Sequence, residues 1–464
     1  MTEDQAYRSF SDFELYSPDQ IVKIPLSGRS SISIWRIIAI SFSVISFQIA
    51  YSVEYAICGS MMKKLDLSNL YISLIYSTGP IAGLFVQPII AHYSDILRSK
   101  LGRRRPFIIA GGVFIIIGFA VLYYISDKLD NLTKSQRTAR ISTLGVTLLV
   151  INIAINMVQS PARAIIGDLV PKTQQVLANT IAAMMISFAG FIGNMTGIAH
   201  LANIKTLNMN QITIITGSIL IILGIVLTCI FGTEESLNEI PARVSPFKET
   251  YFAIKTMPTP ISQFSVVYGF AWMAYFPFQI LTPDFFANDI FAGQKIQGND
   301  FGMLVLAVSN AFGLLYLLFQ PKIIENVHSK YVFFVSQVIA MISLIAGCFL
   351  TNKYGLMFTY MPLGISLAVC NSIPFAVIAV TVPQEQMAVY MSVINIFVVI
   401  GQQISQLIVC VGLMKLTNNT AYTIGTASVF AFVSACLCFR IDSSLSLTTY
   451  SEFDSRDVMN DPIK

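Results

Sequence analysis

The chain has 464 residues, of which 55% are hydrophobic and 12% charged, with a formal net charge of +4. A mean hydropathy of +0.68 excludes an ordinary soluble globular protein, and so small a positive charge, carried mostly in loops, does not imply nucleic acid. The seven cysteines (Cys58, Cys229, Cys348, Cys370, Cys410, Cys436 and Cys438) fall inside apolar stretches and have neither a disulfide-framework nor a zinc spacing. The three histidines, His92, His200 and His328, are too far apart in sequence to suggest a metal cage.

Apolar runs of about 20 residues suffice to cross a bilayer core of about 30 Å. In chain order they predict twelve spans: 35–58, 70–92, 106–126, 140–166, 176–200, 211–232, 262–286, 300–320, 331–350, 354–380, 386–412 and 420–440. Residues 1–34 are polar, so no cleavable signal peptide is expected, and the segment reads as a cytoplasmic tail. The longest hydrophilic interruption, 233–261, carries Glu234, Glu235, Arg243, Lys248 and Lys255. It is expected to be a cytoplasmic linker between a six-helix lobe at 35–232 and another at 262–440. Residues 441–464, rich in Ser and Asp, read as a second cytoplasmic tail. The balance of lysine and arginine in the loops favours this orientation. The sequons at Asn131 and Asn418 fall in predicted outside loops, in agreement with it. The expectation is an all-α, multi-pass membrane protein, a twelve-helix two-lobed bundle.

In the first span, Glu54 is the one acid placed deep in the first lobe outside the fourth span. After the second span, Asp95 precedes Gly102, Arg103, Arg104, Arg105 and Pro106. The aspartate is suited to accept charge-assisted hydrogen bonds from the arginines and from a facing helix N-terminus. Such a cluster is either a latch on the cytoplasmic side or a topology signal at the headgroups. The fourth span sets Asn152, Asn156, Gln159 and Arg163 four, three and four residues apart, which puts them on one helical stripe. An arginine at this depth is opposed by roughly 2.5–3.5 kcal/mol on insertion scales, so it belongs on a polar cavity or beside a partner, the plain alternative being a structural ion pair. Asp168, nearer the cytoplasmic end, reads as a gate or cap.

The seventh span repeats the four-three-four step with Tyr268, Trp272, Tyr275 and Gln279. Aromatic faces pack on the C–H faces of a sugar ring while their polar ends and the amide supply hydrogen bonds, although such stripes also serve simple packing. Asn310, Asn371, Asn395, Gln402 and Gln406 add amides to the second lobe. These either hold helices together in lipid or meet sugar hydroxyls.

The pattern of Asp95 with Gly102 and three arginines resembles the loop signature of the major facilitator superfamily, with a longer spacer. Gly79-Pro80, Gly83, Gln87-Pro88, Ser94-Asp95 and Gly102 to Phe107 resemble the plant sucrose–proton symporters within it. The likeness continues at Phe276-Pro277-Phe278, Thr282-Pro283-Asp284, Ser372-Ile373-Pro374-Phe375 and Val393 to Asn395. Tyr51 to Glu54 and Ser160 to Ala164 are closer to the animal proton-linked sugar transporter relatives. The resemblance implies sucrose or a related sugar or glycoside as substrate, usually carried with a proton, by alternating access. It also implies that Arg163 takes part in substrate and proton coupling. Where that family commonly has an aspartate as proton carrier, this chain has Asn152, which does not titrate. Glu54 is then either the proton carrier or a fixed counter-ion of Arg163, and the counter-ion reading is favoured because a buried arginine needs a partner. The substrate-binding set is therefore Glu54, Asn152, Asn156, Gln159, Arg163, Tyr268, Trp272, Tyr275, Gln279, Asn310, Asn395 and Gln402. The gating set is Asp95, Arg103, Arg104, Arg105 and Asp168.

No phosphate loop, nucleophile elbow or zinc-protease motif occurs, so neither an enzyme nor a cofactor is expected. The alternatives to a coupled carrier are a passive facilitator and a non-transporting sugar receptor. Partners are the sugar, protons and lipid; the monomer is taken as the working unit and the plasma membrane is preferred to an internal one.

Overall fold

The computed structural model describes residues 26–67, 69–126, 129, 132–198, 208–234, 245–292, 294–417 and 419–442. Both sequons and most of the two expected tails lie outside these residues.

The described residues form helices and no strand. The first half comprises α1 (Ile34–Ser41), α2 (Val44–Lys64), α3 (Asn69–Ile96), α4 (Arg105–Ser126), α5 (Lys134–Leu169), α6 (Gln175–Thr196) and α7 (Met209–Phe231). A short helix, α8 (Pro246–Lys255), follows. The second half comprises α9 (Thr259–Phe285), α10 (Lys295–Leu317), α11 (Gln320–Asn326), α12 (Ser329–Gly347), α13 (Lys353–Tyr360), α14 (Leu363–Thr381), α15 (Met387–Ile404), α16 (Met414–Thr417), α17 (Thr420–Thr426) and α18 (Ser428–Cys438). Ten helical stretches among the described residues are long and apolar enough to cross a membrane, and the pair α1–α2, bent by 43°, makes an eleventh. Helix α3 runs unbroken for 28 residues and supplies the remaining span of the twelve-helix bundle.

Capping explains several helix ends. Thr133 and Gln136 form a reciprocal capping box that starts α5, six residues before the apolar run expected at 140, and Asn208 with Gln211 does the same for α7. Such boxes satisfy backbone N–H groups that the first turn leaves open. The expected linker is not wholly irregular: Pro246 opens α8 behind Ser245, and α8 lies against both α3 and α15.

One hydrophobic cluster draws its buried members from residues 26–221. Two others draw mainly on the second half, with Ala91, Ala164 and Ile198 joining them. The halves meet where α3 packs on α15, α6 on α10 and α14, and α5 on α15. Large apolar side chains such as Phe85, Ile117, Ile219, Leu315 and Phe349 are exposed. That is the surface expected of a helical bundle whose solvent is lipid. Polar side chains instead face inward, between the halves.

Candidate functional site

Between the halves lies a cavity of about 1270 Å³, part of it open to solvent. From α5 it is lined by Asn156, Gln159 and Arg163, and from α9 by Tyr268, Trp272, Tyr275 and Gln279. Asn310 on α10 and Asn395 and Gln402 on α15 complete the contribution of the predicted residues. Thus the whole α9 stripe and three of the four members of the α5 stripe face the same space from opposite halves.

Among the described residues Arg163 is the single charged residue in the lining. It is 4% exposed and reaches across to α14. Its Nη1 donates to the Asn371 carbonyl oxygen at 3.2 Å and its Nη2 to Asn371 Oδ1 at 2.9 Å. The guanidinium carbon lies 3.4 Å from the centroid of the Phe375 ring. Stacking and two charge-assisted hydrogen bonds take the place of a counter-ion.

Glu54 is therefore not the partner of Arg163, and the favoured expectation fails. Its carboxylate accepts from Asn152 Nδ2 at 3.0 and 3.2 Å, and the same nitrogen donates to the Leu148 carbonyl at 3.0 Å. Glu54 and Asn152 are buried, and neither lines the cavity. The stripe on α5 curves away from the open space at its upper end, where Asn152 turns toward α2. Among the described residues no cation lies within ion-pair distance of Glu54.

The aromatic residues of α9 form a chain of edge-to-face contacts. Ring centroids are 6.4 Å apart for Tyr268–Trp272 and 5.9 Å for Trp272–Tyr275, and Tyr268 lies 5.9 Å from Phe375. Edge-to-face packing fixes the rings and leaves faces available to a ligand. Gln159 Nε2 donates to Asn395 Oδ1 at 3.3 Å across the halves.

The sequence reading missed much of the contribution of α2. Gln48, Tyr51, Ser52 and Tyr55 line the cavity together with Tyr76 of α3 and Asn194 of α6. Their three- and four-residue spacing was a usable signal, hidden because attention in that span went to its one acid. Asn371 was seen as a buried amide, but its role as acceptor for Arg163 was not. Gln406, also noted in sequence, is not among the lining residues.

At the end of the bundle where α3 and α5 meet the start of α15, the charged residues of the second loop converge. Arg104, fully buried, pairs with Asp95, donates from Nε to Asp168 Oδ2 at 2.8 Å, and donates from Nη1 to Ser94 Oγ at 2.9 Å. Arg103 Nη2 lies 2.9 Å from the same Asp168 oxygen and donates to the Gln384 carbonyl at 3.1 Å. Gln384 returns a hydrogen bond to the Asp168 carbonyl at 3.0 Å, and Asp95 Oδ2 accepts from Val389 N–H at 3.2 Å, in the first turn of α15. The cluster joins the two halves and gives a carboxylate to a helix N-terminus. Arg105 does not take part. Its Nη1 donates to the Cys229 carbonyl at 3.0 Å and its Nε lies 3.7 Å from Glu234, so it works within the first half.

Glu234 also accepts from the backbone N–H groups of Arg104 and Arg105, at 3.0 and 3.3 Å. Burial pushes its carboxyl above the ordinary value, against the opposing pull of Arg104. The loop fits around it because Gly102 adopts φ +92°, a conformation that favours glycine; a Cβ there would lie 2.5 Å from Glu234 Oε2. Nearby, His92 on α3 contacts Glu249 on α8. At the opposite end, Lys63 of α2 pairs with Asp284 of α9 at 2.5 Å, with the two side chains 50% and 45% exposed.

Comparison with known proteins agrees with this architecture. A family model described as Major Facilitator Superfamily matches residues 37–405. A sucrose transport protein of Arabidopsis thaliana is 24% identical over 462 residues, covering 87% of this chain and 89% of its own. A general alpha-glucoside permease of Schizosaccharomyces pombe is 29% identical over 283 residues, covering 58% of this chain and 50% of its own. Among solved structures, the human organic anion transporter MFSD10 superposes with a TM-score of 0.65 at 13% identity, covering 87% of this chain and 99% of that one. The transporter FucP in its outward conformation gives 0.60 at 15% identity, covering 89% and 100%. At these identities the structural matches speak to the fold.

Proposed function

Because the chain belongs to the Major Facilitator Superfamily, we propose that it carries a neutral sugar or glycoside across the membrane by alternating access. The observation that carries this reading is the chemistry of the cavity among the described residues: one arginine, no carboxylate, aromatic faces from α9, and amides from both halves. An uncharged polyhydroxy ligand loses its water on entry and needs many neutral donors and acceptors in return, with flat apolar faces for its C–H surfaces. The printed identities of the relatives, a sucrose transport protein and an alpha-glucoside permease, support the same substrate class. The proposed lobes are 35–232 and 262–440, with 233–261 as linker, in keeping with a core cluster confined to residues 26–221. Asp95, Arg103, Arg104 and Asp168 are proposed as a gate at their end of the bundle. Arg105 supports the loop from within its own lobe. The monomer is taken as the working unit, and the plasma membrane as the location.

A second reading, passive facilitation, is favoured by one observation: Asn152 occupies the α5 stripe and, among the described residues, no acid lines the cavity. Under coupled transport the candidate proton carrier in the first lobe is Glu54, which is buried and does not line the cavity.

The test is uptake of labelled sucrose, maltose, trehalose and glucose into proteoliposomes, with and without a pH gradient. Saturable uptake of at least one sugar is expected. Accumulation above equilibrium under the gradient marks coupling, and equilibration alone marks facilitation. Sugar binding without uptake would replace the carrier reading with a receptor.

A further inference from the structure

Helix α3 presents three positions to the polar stripe of α5. Gly79 lies over Asn152 and Gly83 over Asn156, so close that a Cβ at Gly83 would sit 3.0 Å from Asn156 Oδ1. One turn further, Gln87 continues the same face. It is 1% exposed and does not line the cavity. Its Nε2 donates to Asn156 Oδ1 at 2.8 Å and to Gln159 Oε1 at 3.0 Å.

A carboxamide has almost the same shape when its oxygen and nitrogen exchange places, so its partners decide which end faces where. The Gln87 nitrogen has two hydrogens, and it uses them on two carbonyl oxygens. Both neighbours must then turn their nitrogens elsewhere. Asn156 Nδ2 donates to the Asn152 carbonyl at 2.8 Å, and Gln159 Nε2 donates to Asn395 Oδ1 at 3.3 Å. We propose that Gln87 is a positioning residue that sets the donor–acceptor polarity of the cavity wall, holding Gln159 with its N–H groups toward the opposite lobe. At the level of Gln159, therefore, the site selects an oxygen that accepts a hydrogen bond. This inference rests on the sugar-carrier reading and names the feature of the sugar that α5 recognises.

The protein contains two tryptophans. Trp272 lines the cavity, and Trp35 is 76% exposed, so Trp35→Phe leaves Trp272 as an intrinsic fluorescent reporter of binding. Purified protein is titrated with sucrose, maltose, glucose and their mono-deoxyfluoro derivatives, in which fluorine retains acceptor character but cannot donate. With position 87 intact, at least one fluoro derivative is expected to bind nearly as well as its parent.

Gln87→Glu, read at a pH high enough to ionise the buried carboxyl, offers only acceptors, so Asn156 and Gln159 turn their nitrogens toward α3 and their carbonyls toward the cavity. The penalty of that fluoro derivative relative to its parent then rises about tenfold. Gln87→Met keeps the volume and removes the donors, and should move the ratio in the same direction by less. Fluoro-to-parent ratios unchanged in both variants, with binding retained or lost in parallel, overturn the assignment. Absence of a Trp272 response to every sugar in the Trp35→Phe protein overturns the sugar reading instead. A double-mutant cycle on thermal stability then decides about Gln87 without any ligand. Gln87→Met and Asn156→Ala remove one shared hydrogen bond, so the double variant should be less destabilised than the sum of the singles. Strict additivity overturns the positioning role.

Discussion

Arg163 crosses from one half to the other and is held by a backbone carbonyl, an amide oxygen and a ring face of α14. Truncating it removes two charge-assisted bonds, and Arg163→Ala is expected to lower sugar affinity by about 100-fold, read as the concentration dependence of uptake at matched protein levels. Arg163→Lys should recover little, because an ammonium neither stacks flat on Phe375 nor donates twice to Asn371 in a fixed fork; near-normal uptake by the lysine variant would show that charge alone matters. Glu54, by contrast, answers only to Asn152. If coupling runs through this pair, Glu54→Gln should preserve sugar exchange and abolish accumulation driven by a pH gradient, measured with labelled sugar in vesicles. Concentrative uptake that survives the change would move the search for the proton site to the second lobe. The α5 and α9 stripes were legible because four-three-four spacing fixes a face. Which neighbour each member meets was not. An acid and an arginine in one apolar lobe invite pairing on paper, yet here they face different layers.

Helices α3 and α5 approach closely because Gly79 and Gly83 leave room for the Asn152 and Asn156 side chains. Gly83→Leu should force the two helices apart and destabilise the protein by about 1–3 kcal/mol, visible as a lower denaturation temperature. Gly83→Ala should cost less, since the amide can yield by a few tenths of an ångström. A neutral Gly83→Leu variant would mean that α3 is not seated as described. Apolar runs made the spans themselves readable, but the run does not mark the helix end when a capping box extends it, as Thr133 and Gln136 do for α5. The ten residues of α8 are too few for a span and sit in a polar stretch, so nothing in a hydropathy reading marks them. Their seat against α3 and α15 comes from tertiary packing, with Glu249 reaching His92.

The two ends of the molecule are bridged by contacts of unlike character. At one end the buried pairs of Arg104 with Asp95 and Asp168 lie within the first half, and the second half is tied to that charged cluster by Gln384, which exchanges hydrogen bonds with Arg103 and Asp168, and by the Val389 N–H, which donates to the Asp95 carboxylate; separating the halves there would remove hydrogen bonds from buried charged groups. At the other end Lys63 and Asp284 are about half exposed, a setting in which a pair contributes about 0.2–1 kcal/mol. Lys63→Ala should therefore change the balance between outward- and inward-facing forms by no more than about fivefold. Asp95→Asn should shift it strongly toward opening at the Arg104 end. Both are measurable as labelling rates of a cysteine introduced near Gln279 and of another near Asp168. Equal effects of the two variants would contradict the difference in burial.

Arg163 carries a further consequence. It is the one charge that the described residues place in the cavity wall, and rocking would connect it first to one aqueous compartment and then to the other. The membrane potential acts on any charge whose aqueous access changes sides, at about 2.3 kcal/mol per 100 mV for a full crossing of the field. The sugar is uncharged and the arginine never leaves the protein, but the conformational step should still be electrically visible. Brief transient currents on a voltage jump, present without substrate and absent in Arg163→Gln, would register the motion of the empty carrier.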